Sequence, residues 1–218
     1  RIYVTLRLLF CINKEDKKTM KKRFLPIIAG AILALCVGCG QSKPATDSAK
    51  EASSTTAQAN NQTVFKIGAI PDYDQSLMEE SLNDFATYLS SKTGLKVEYV
   101  PTVDYASLVT AFERGDIQLA WFGGLTAVQA LDKVPEAEVF AQRPADAKFK
   151  SVFIEQKGLG LKNLQDLKGK TFTFGSESST SGHLMPRYFL NEAGIDPEKD
   201  FNGQPNYSGS HDKTYKLV

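Results

Sequence analysis

The sequence predicts an α/β fold built in two units, and three observations carry that expectation. Strands alternate with helices from Val64 to Gln156, the alternation restarts after Gln156, and the body is long and apolar enough to bury cores without covalent staples. The chain has 218 residues, is 42% hydrophobic and carries 26 Lys+Arg against 25 Asp+Glu. Such a hydrophobic share excludes a disordered chain. A net charge of +1 excludes a basic nucleic-acid binder.

In the first unit, residues 64–156, Val64–Ile70 reads as a strand. Leu77, Leu82, Phe85 and Leu89 recur at helical spacing through Thr93, and Gly94 ends that helix. Val97–Val100 is a second strand. Tyr105, Leu108, Val109 and Phe112 line one helical face, and Ile117–Phe122 is a third strand. Gly123-Gly124 breaks it before a helix carrying Ala127, Val128 and Leu131. Ala137–Ala141 and Ser151–Glu155 complete the strands of a mostly parallel sheet. The second unit, residues 157–218, begins with a short turn-like helix over Leu164–Gly169. It continues with a strand at Thr171–Phe174, a helix over Ser181–Ala193, a strand near Tyr207 and a helix opening at His211. That unit has about 60 residues and stops inside an element, so a truncated second lobe is expected.

The first 63 residues read differently. Residues 1–38 hold eight basic residues and, of the acidic ones, only Glu15 and Asp16, so the chain from Cys39 onward carries −5. Met20 precedes Lys21-Lys22-Arg23 and then 15 uncharged residues, Phe24 to Gly38. This is the plan of a secretory signal peptide over residues 20–38. A helix of that length reaches about 22 Å, short of a hydrocarbon core of roughly 30 Å. Residues 1–19 read as translated upstream sequence with no structural role. Cys36-Val37-Gly38-Cys39 resembles the lipobox of bacterial lipoproteins, with Cys36 where Leu is usual. That resemblance makes Cys39 the lipidated first residue of the mature chain. Residues 40–63 contain no Val, Leu, Ile, Met or aromatic residue, so residues 39–63 are expected to be a disordered tether. With Cys11, Cys36 and Cys39 outside it, the folded body has no thiol for a disulfide, a metal or a nucleophile.

The chemistry concentrates in Phe174-Gly175-Ser176-Glu177-Ser178-Ser179-Thr180-Ser181-Gly182-His183. The stretch leaves a strand and enters a helix, the crevice position where open α/β sheets bind ligands. Free backbone N–H groups, the positive helix end and several hydroxyls there form an anion cradle. The alternative is a helix capped by Ser179 or Thr180 with no ligand. No Walker lysine follows, which disfavours nucleotide hydrolysis. His183 and His211 have 27 residues between them and no zinc-type spacing, so neither a metal nor a cofactor is expected. Ser179, His211 and Asp212 make a poor triad, because adjacent His and Asp do not readily orient one another. Tyr73, Tyr105, Trp121, Phe122 and Phe149 fall near strand ends or helix starts. For Trp121 and Phe122, core or cleft-wall packing is the simpler account. Tyr105, at the first turn of its helix, can also point into the crevice.

Asp104-Tyr105-Ala106, Ala120-Trp121-Phe122-Gly123, Ser179-Thr180-Ser181-Gly182 with Pro186, and Gly209-Ser210-His211-Asp212 occur in one order. That order resembles the phosphate/phosphite/phosphonate-binding proteins of ABC importers, from about Val64 to Val218. The resemblance implies a two-lobed periplasmic-binding-protein-like fold closing on a small oxyanion, without catalysis. It gives Ser179, Thr180, Ser181 and the Gly182 amide the anion oxygens, Tyr105 a hydroxyl donor, and His211 a place at the anion. Tyr73 and Phe149 are further candidates, Phe149 standing near where phosphonate binders have a tyrosine. The implied partners are an ABC permease with its ATPase subunits, and the membrane through Cys39. The implied location is the bacterial cell envelope, periplasmic or on the outer face of the cytoplasmic membrane. Phe174–Met185, together with Trp121-Phe122-Gly123-Gly124-Leu125, also resembles a selenate-binding subgroup, so a non-phosphorus oxyanion is an alternative ligand. A structural or adhesive lipoprotein and an envelope phosphate-ester hydrolase are the rival classes.

Overall fold

The computed structural model describes residues 9–13 and 63–218. The first unit contains β1 (Leu9–Asn13), β2 (Val64–Ala69), α1 (Gln75–Thr93), β3 (Lys96–Tyr99), α2 (Tyr105–Glu113), β4 (Leu119–Phe122), α3 (Gly124–Lys133) and β5 (Ala137–Ala141). Its five strands form one sheet in the order β3-β2-β4-β1-β5. β2 is parallel to β3 and β4, whereas β1 runs antiparallel to both β4 and β5.

Local chemistry sets the helix ends. The Asp74 carboxylate accepts from the backbone N–H groups of Ser76 and Leu77 and starts α1, and Gly94, at φ 67°, ends it. Asp104 and Ser107 form a reciprocal capping box at the start of α2. The apolar face of α2 then buries Leu108, Val109 and Phe112 against β4, with Phe112 edge-on to Phe122 at 5.4 Å. Gly68 lets α2 approach β2, since a Cβ there would lie 2.6 Å from Leu108 Cδ1. A second cluster, including Ile67, Ala86 and Val97, seals α1 to the sheet.

The second unit contains β6 (Thr173–Phe174), α4 (Met185–Glu192), β7 (Asn206–Tyr207) and α5 (His211–Lys216). β6 and β7 pair in parallel, and Leu167, Phe174, Leu190, Ile195 and Phe201 form a separate core. Two sheets, each packed on its own core residues, give the bilobal α/β fold.

Three expectations are corrected. Leu9–Asn13 belongs to a segment read as having no structural role, yet it supplies the strand that joins β4 to β5. Ser151–Glu155 is not a strand. Its burial alternates around buried Ser151, but no described strand lies beside it to complete a ladder. The helix expected over Ser181–Ala193 is split into a π turn, Thr180–Leu184, and α4. Pro186 has no N–H to give the Gly182 carbonyl one turn earlier. That carbonyl instead accepts from Gly175 N at 2.8 Å, which ties the turn back to the end of β6. The signal peptide, Cys39 and the tether lie outside the described residues. No helix among the described residues is long and apolar enough to cross a membrane.

Candidate functional site: a polar chamber between the two units

The carboxyl ends of β2 and β4 and the start of α3 face the π turn and the start of α5 across a small chamber. From the second unit, Ser179, Thr180, Ser181 and His211 line it. From the first come Tyr105, Asp72 and Gly123, and Phe149 stands at its edge. A larger cavity of about 700 Å³ adjoins it at Ser181, Phe149 and His211. That cavity is lined by both units, with Val152, Phe153 and Ile154 of the first among them, and the concentration of hydroxyls makes the small chamber the candidate site.

The π turn aims its polar groups inward. Ser179, almost fully buried, accepts from Gly182 N at 2.9 Å and so fixes the loop. Gly182 is required by closeness: a Cβ there would lie 3.1 Å from Gly175 Cα and 3.0 Å from Ser179 Oγ. Thr180 Oγ1 accepts from Leu125 N, at the first turn of α3, at 2.7 Å. Gly123, the N-cap of α3, has no side chain to do this, so the second unit caps a helix of the first. The Thr180 hydroxyl proton stays available to a ligand. Ser181 is held by its carbonyl, which accepts from Ser151 Oγ at 2.8 Å, and its own hydroxyl lies 3.5 Å from His211 Nε2. π turns inside helices are found disproportionately at functional positions.

Tyr105 is only 2% exposed, and its hydroxyl, with Ser179 as its polar neighbour, makes no hydrogen bond of good geometry among the described residues. An unsatisfied buried hydroxyl costs about 1–3 kcal/mol. Burial first, and the charge of Asp72 second, push its ionisation well above the ordinary tyrosine range, with Ser179 offsetting only part. It therefore remains a neutral donor. His211 donates its backbone N–H to the Asp72 carbonyl at 3.1 Å, a second bond between the units. Burial lowers the His211 ring from its ordinary 6.5, partly offset by Asp72 and Asp212. The ring is thus mostly neutral at neutral pH.

Phe149 ends a 3-10 turn, Pro144–Lys148, clamped by Arg143 on the buried Asp146 carboxylate at 2.7 Å. The same guanidinium lies over the Trp121 ring at 4.8 Å. Phe122 is fully buried and Trp121 partly so, matching the packing expected of them. Tyr73 is about half exposed and does not line the chamber. Asp104, part of the first motif, is a helix cap whose effect is to place Tyr105.

Sequence reasoning missed Asp72. It lies two residues beyond the buried Ile70 at the end of β2, in a stretch with no recognisable motif. It also missed Gly123 and Leu125 as a receiving surface for Thr180. His183 is engaged by the Glu177 carbonyl and Arg187, away from the chamber. Asp212 is held by Ser210 and Lys216. Ser181, rather than Ser179, approaches His211, so the Ser179–His211–Asp212 relay is not formed. Among the described residues no cluster of His, Cys, Asp or Glu is placed to hold a metal.

The Gly182 amide expected at the anion is instead committed to Ser179 Oγ, and Gly182 does not line the chamber. Two α/β units meeting at a chamber lined by hydroxyls and an imidazole define a binding protein of the bilobal type. Residues 67–218 match the family described as ABC transporter, phosphonate, periplasmic substrate-binding protein, and the chain belongs to that family. It is 47% identical over 166 residues to the probable ABC transporter phosphite binding protein PhnD1 of Prochlorococcus marinus, covering 73% of this chain and 56% of that one. It is 31% identical over 136 residues to the phosphonates-binding periplasmic protein of Escherichia coli, covering 59% of this chain and 40% of that one. The solved structure of Prochlorococcus marinus PhnD1 with methylphosphonate superposes with a TM-score of 0.69 at 46% identity, over 72% of this chain and 60% of that one. A binding-protein component of a phosphonate transporter from Pseudomonas aeruginosa shares the fold at TM-score 0.52 and 23% identity, over 69% of this chain and 52% of that one. The chain thus spans little more than half the length of its P. marinus relative.

Proposed function

We propose that the protein is the substrate-binding component of an ABC importer. It captures a small phosphorus oxyanion (phosphonate, phosphite or phosphate) between its two units and delivers it unaltered to a membrane permease driven by separate ATPase subunits. The observation that carries this reading is the buried, unpartnered Tyr105 hydroxyl beside the Ser179–Gly182 turn. A tetrahedral anion supplies the acceptor that Tyr105 lacks and also accepts hydrogen bonds from the Thr180 and Ser181 hydroxyls. Bonds of this charge-assisted kind are about twice as strong as neutral ones. Phe149 and His211 complete the wall. The P. marinus relative, PhnD1, is named as a probable phosphite binding protein and was solved with methylphosphonate, which supports phosphorus as the central atom. Export with lipidation of Cys39 places this function in the cell envelope, tethered to the membrane by residues 39–63.

Calorimetric titration of the whole gene product with phosphite, methylphosphonate and phosphate tests the reading, with phosphorus NMR to follow the fate of the ligand. Saturable binding without chemical change is expected. Absence of binding to all three, or turnover of any, overturns it.

A further inference from the structure

We propose that His183 and Arg187 are positioning residues for the oxyanion. Neither lines the chamber, yet together they lock the turn that presents the Ser179, Thr180 and Ser181 hydroxyls. This rests on the oxyanion-binding reading above and adds to it two residues and the tautomer of one of them.

The turn needs such a lock. It has glycine at either end, Gly175 and Gly182, and residues 176–181 carry no apolar side chain to hold it by packing. Its inner part is fixed by short-range bonds. Ser179 N donates to the Ser176 carbonyl at 2.9 Å, and Gly182 N donates to Ser179 Oγ at 2.9 Å. From the π turn, the His183 ring reaches back to the Glu177 carbonyl, with Nδ1 at 2.7 Å. That bond closes a loop of chain from residue 177 to residue 183 that contains all three hydroxyls.

The inventory of donors and acceptors fixes how the ring is used. A carbonyl oxygen only accepts, so Nδ1 carries the hydrogen. A guanidinium only donates, and Arg187 Nε–H meets His183 Nε2 at 2.9 Å, so Nε2 is the accepting nitrogen. One tautomer satisfies both bonds, and Arg187 selects it from one helical turn away. Arg187 is itself held by the rigid part of the second unit. Its Nη1 donates to Glu198 at 2.7 Å and its Nη2 to the Tyr207 hydroxyl at 2.9 Å. Tyr207 Oη, 3.3 Å from the same Nε2, donates onward to it. The guanidinium also lies over the Phe174 ring at 5.0 Å. Phe174 and Tyr207 are paired in register on β6 and β7, and the His183 ring packs edge-on against both. The sheet and α4 thus set the place of one carbonyl in the turn. A cradle ordered in advance spares the ligand the entropy of ordering it, and supports on helices and strands give that order best.

The test compares the whole wild-type protein with His183→Asn, His183→Leu and Arg187→Met by calorimetric titration with phosphite. Asparagine offers an N–H near the place of Nδ1 and can still donate to the Glu177 carbonyl, whereas leucine cannot. His183→Leu should lose about tenfold in affinity, the worth of one hydrogen bond. His183→Asn should stay within about threefold of wild type, and Arg187→Met should lose about threefold or more. Nitrogen-15 NMR of the imidazole should find the His183 hydrogen on Nδ1 in wild type and spread over both nitrogens in Arg187→Met. Circular dichroism and thermal melts establish that each variant is folded. Unchanged phosphite affinity in folded His183→Leu or Arg187→Met overturns the proposal, because a merely structural role moves the melting temperature alone. Equal losses in His183→Asn and His183→Leu overturn it too, since the N–H is then not what matters. Should the variants misfold, the wild-type spectrum decides. Hydrogen on Nδ1 before and after saturation with phosphite supports the lock, and hydrogen on Nε2 overturns it. In each of these failures wild type still binds phosphite and the importer reading stands. If wild type binds neither phosphite, methylphosphonate nor phosphate, both fail.

Discussion

Thr180 Oγ1 accepts the backbone N–H of Leu125 at 2.7 Å, so a side chain of the second unit caps a helix of the first. One hydroxyl is thereby committed as an acceptor to the scaffold while its proton remains for the ligand. The same contact links anion capture to the relative position of the two units.

Thr180→Ala should therefore weaken two things at once. Loss of the cap costs about 1 kcal/mol of stability, and loss of a donor costs roughly 1–3 kcal/mol of anion affinity. Thr180→Ser should retain most of both. Denaturant titration and calorimetry separate the effects, and unchanged phosphite affinity in a folded Thr180→Ala protein would remove this hydroxyl from the site.

Gly182→Ala should disrupt the cradle. The new methyl would meet Gly175 Cα at 3.1 Å and Ser179 Oγ at 3.0 Å, backbone on one side and the loop's own clamp on the other. Overpacking of this kind costs about 1–3 kcal/mol. Urea unfolding should register that loss, and phosphite binding should fall with it. A variant of wild-type stability would show that the π turn can relax away from β6.

Asp72 and His211 should impose opposite pH dependences on the ligand-free protein. The folded state raises Asp72 above 3.8, so the stability it contributes is complete below that value and is lost as pH climbs through the raised one. The folded state lowers His211 below 6.5, so its contribution is complete above that value and is lost as pH falls through the lowered one. Asp72→Asn should accordingly gain stability relative to wild type as pH rises from 4 to 7. A difference that stays constant over that range would mean that Asp72 is not desolvated.

Processing before Cys39 would remove β1, which stands between β4 and β5. Intact-mass measurement on protein from its native host is expected to show loss of residues 1–38 and added acyl mass on Cys39. An unmodified N-terminus in the soluble fraction would refute lipidation. In the unprocessed chain, produced without export, deletion of residues 1–19 should give faster amide exchange at Leu119–Phe122 and Ala137–Ala141, the two strands that pair with Leu9–Asn13. Unchanged exchange would mean that other backbone takes the vacated position.

Much of the first unit was legible in its residues because its signals are local. Helical spacing with Asp74, Asp104 and Gly94 at the ends fixes α1 and α2 without reference to the rest of the chain. The turn that lines the chamber was legible for the same reason, since a Ser/Thr run between a strand and a helix gathers hydroxyls on one stretch of backbone. The ends of the Ser181–Ala193 helix were not legible. They depend on which partner takes the Gly182 carbonyl once Pro186 cannot, and that partner, Gly175, is supplied by folding.

Residue pattern by itself indicated the alternation of strands and helices, and it singled out Ser179, Thr180, Ser181, Tyr105 and His211, which line one chamber. Tertiary structure decided what these groups do to one another. It buried the Tyr105 hydroxyl, turned Thr180 onto Leu125, left Tyr73 outside the chamber, and brought Asp72 into the chamber's lining. The reason is physical. Propensity and periodicity act over a few residues, whereas desolvation, charge coupling and the satisfaction of buried donors depend on distances between segments far apart in the chain.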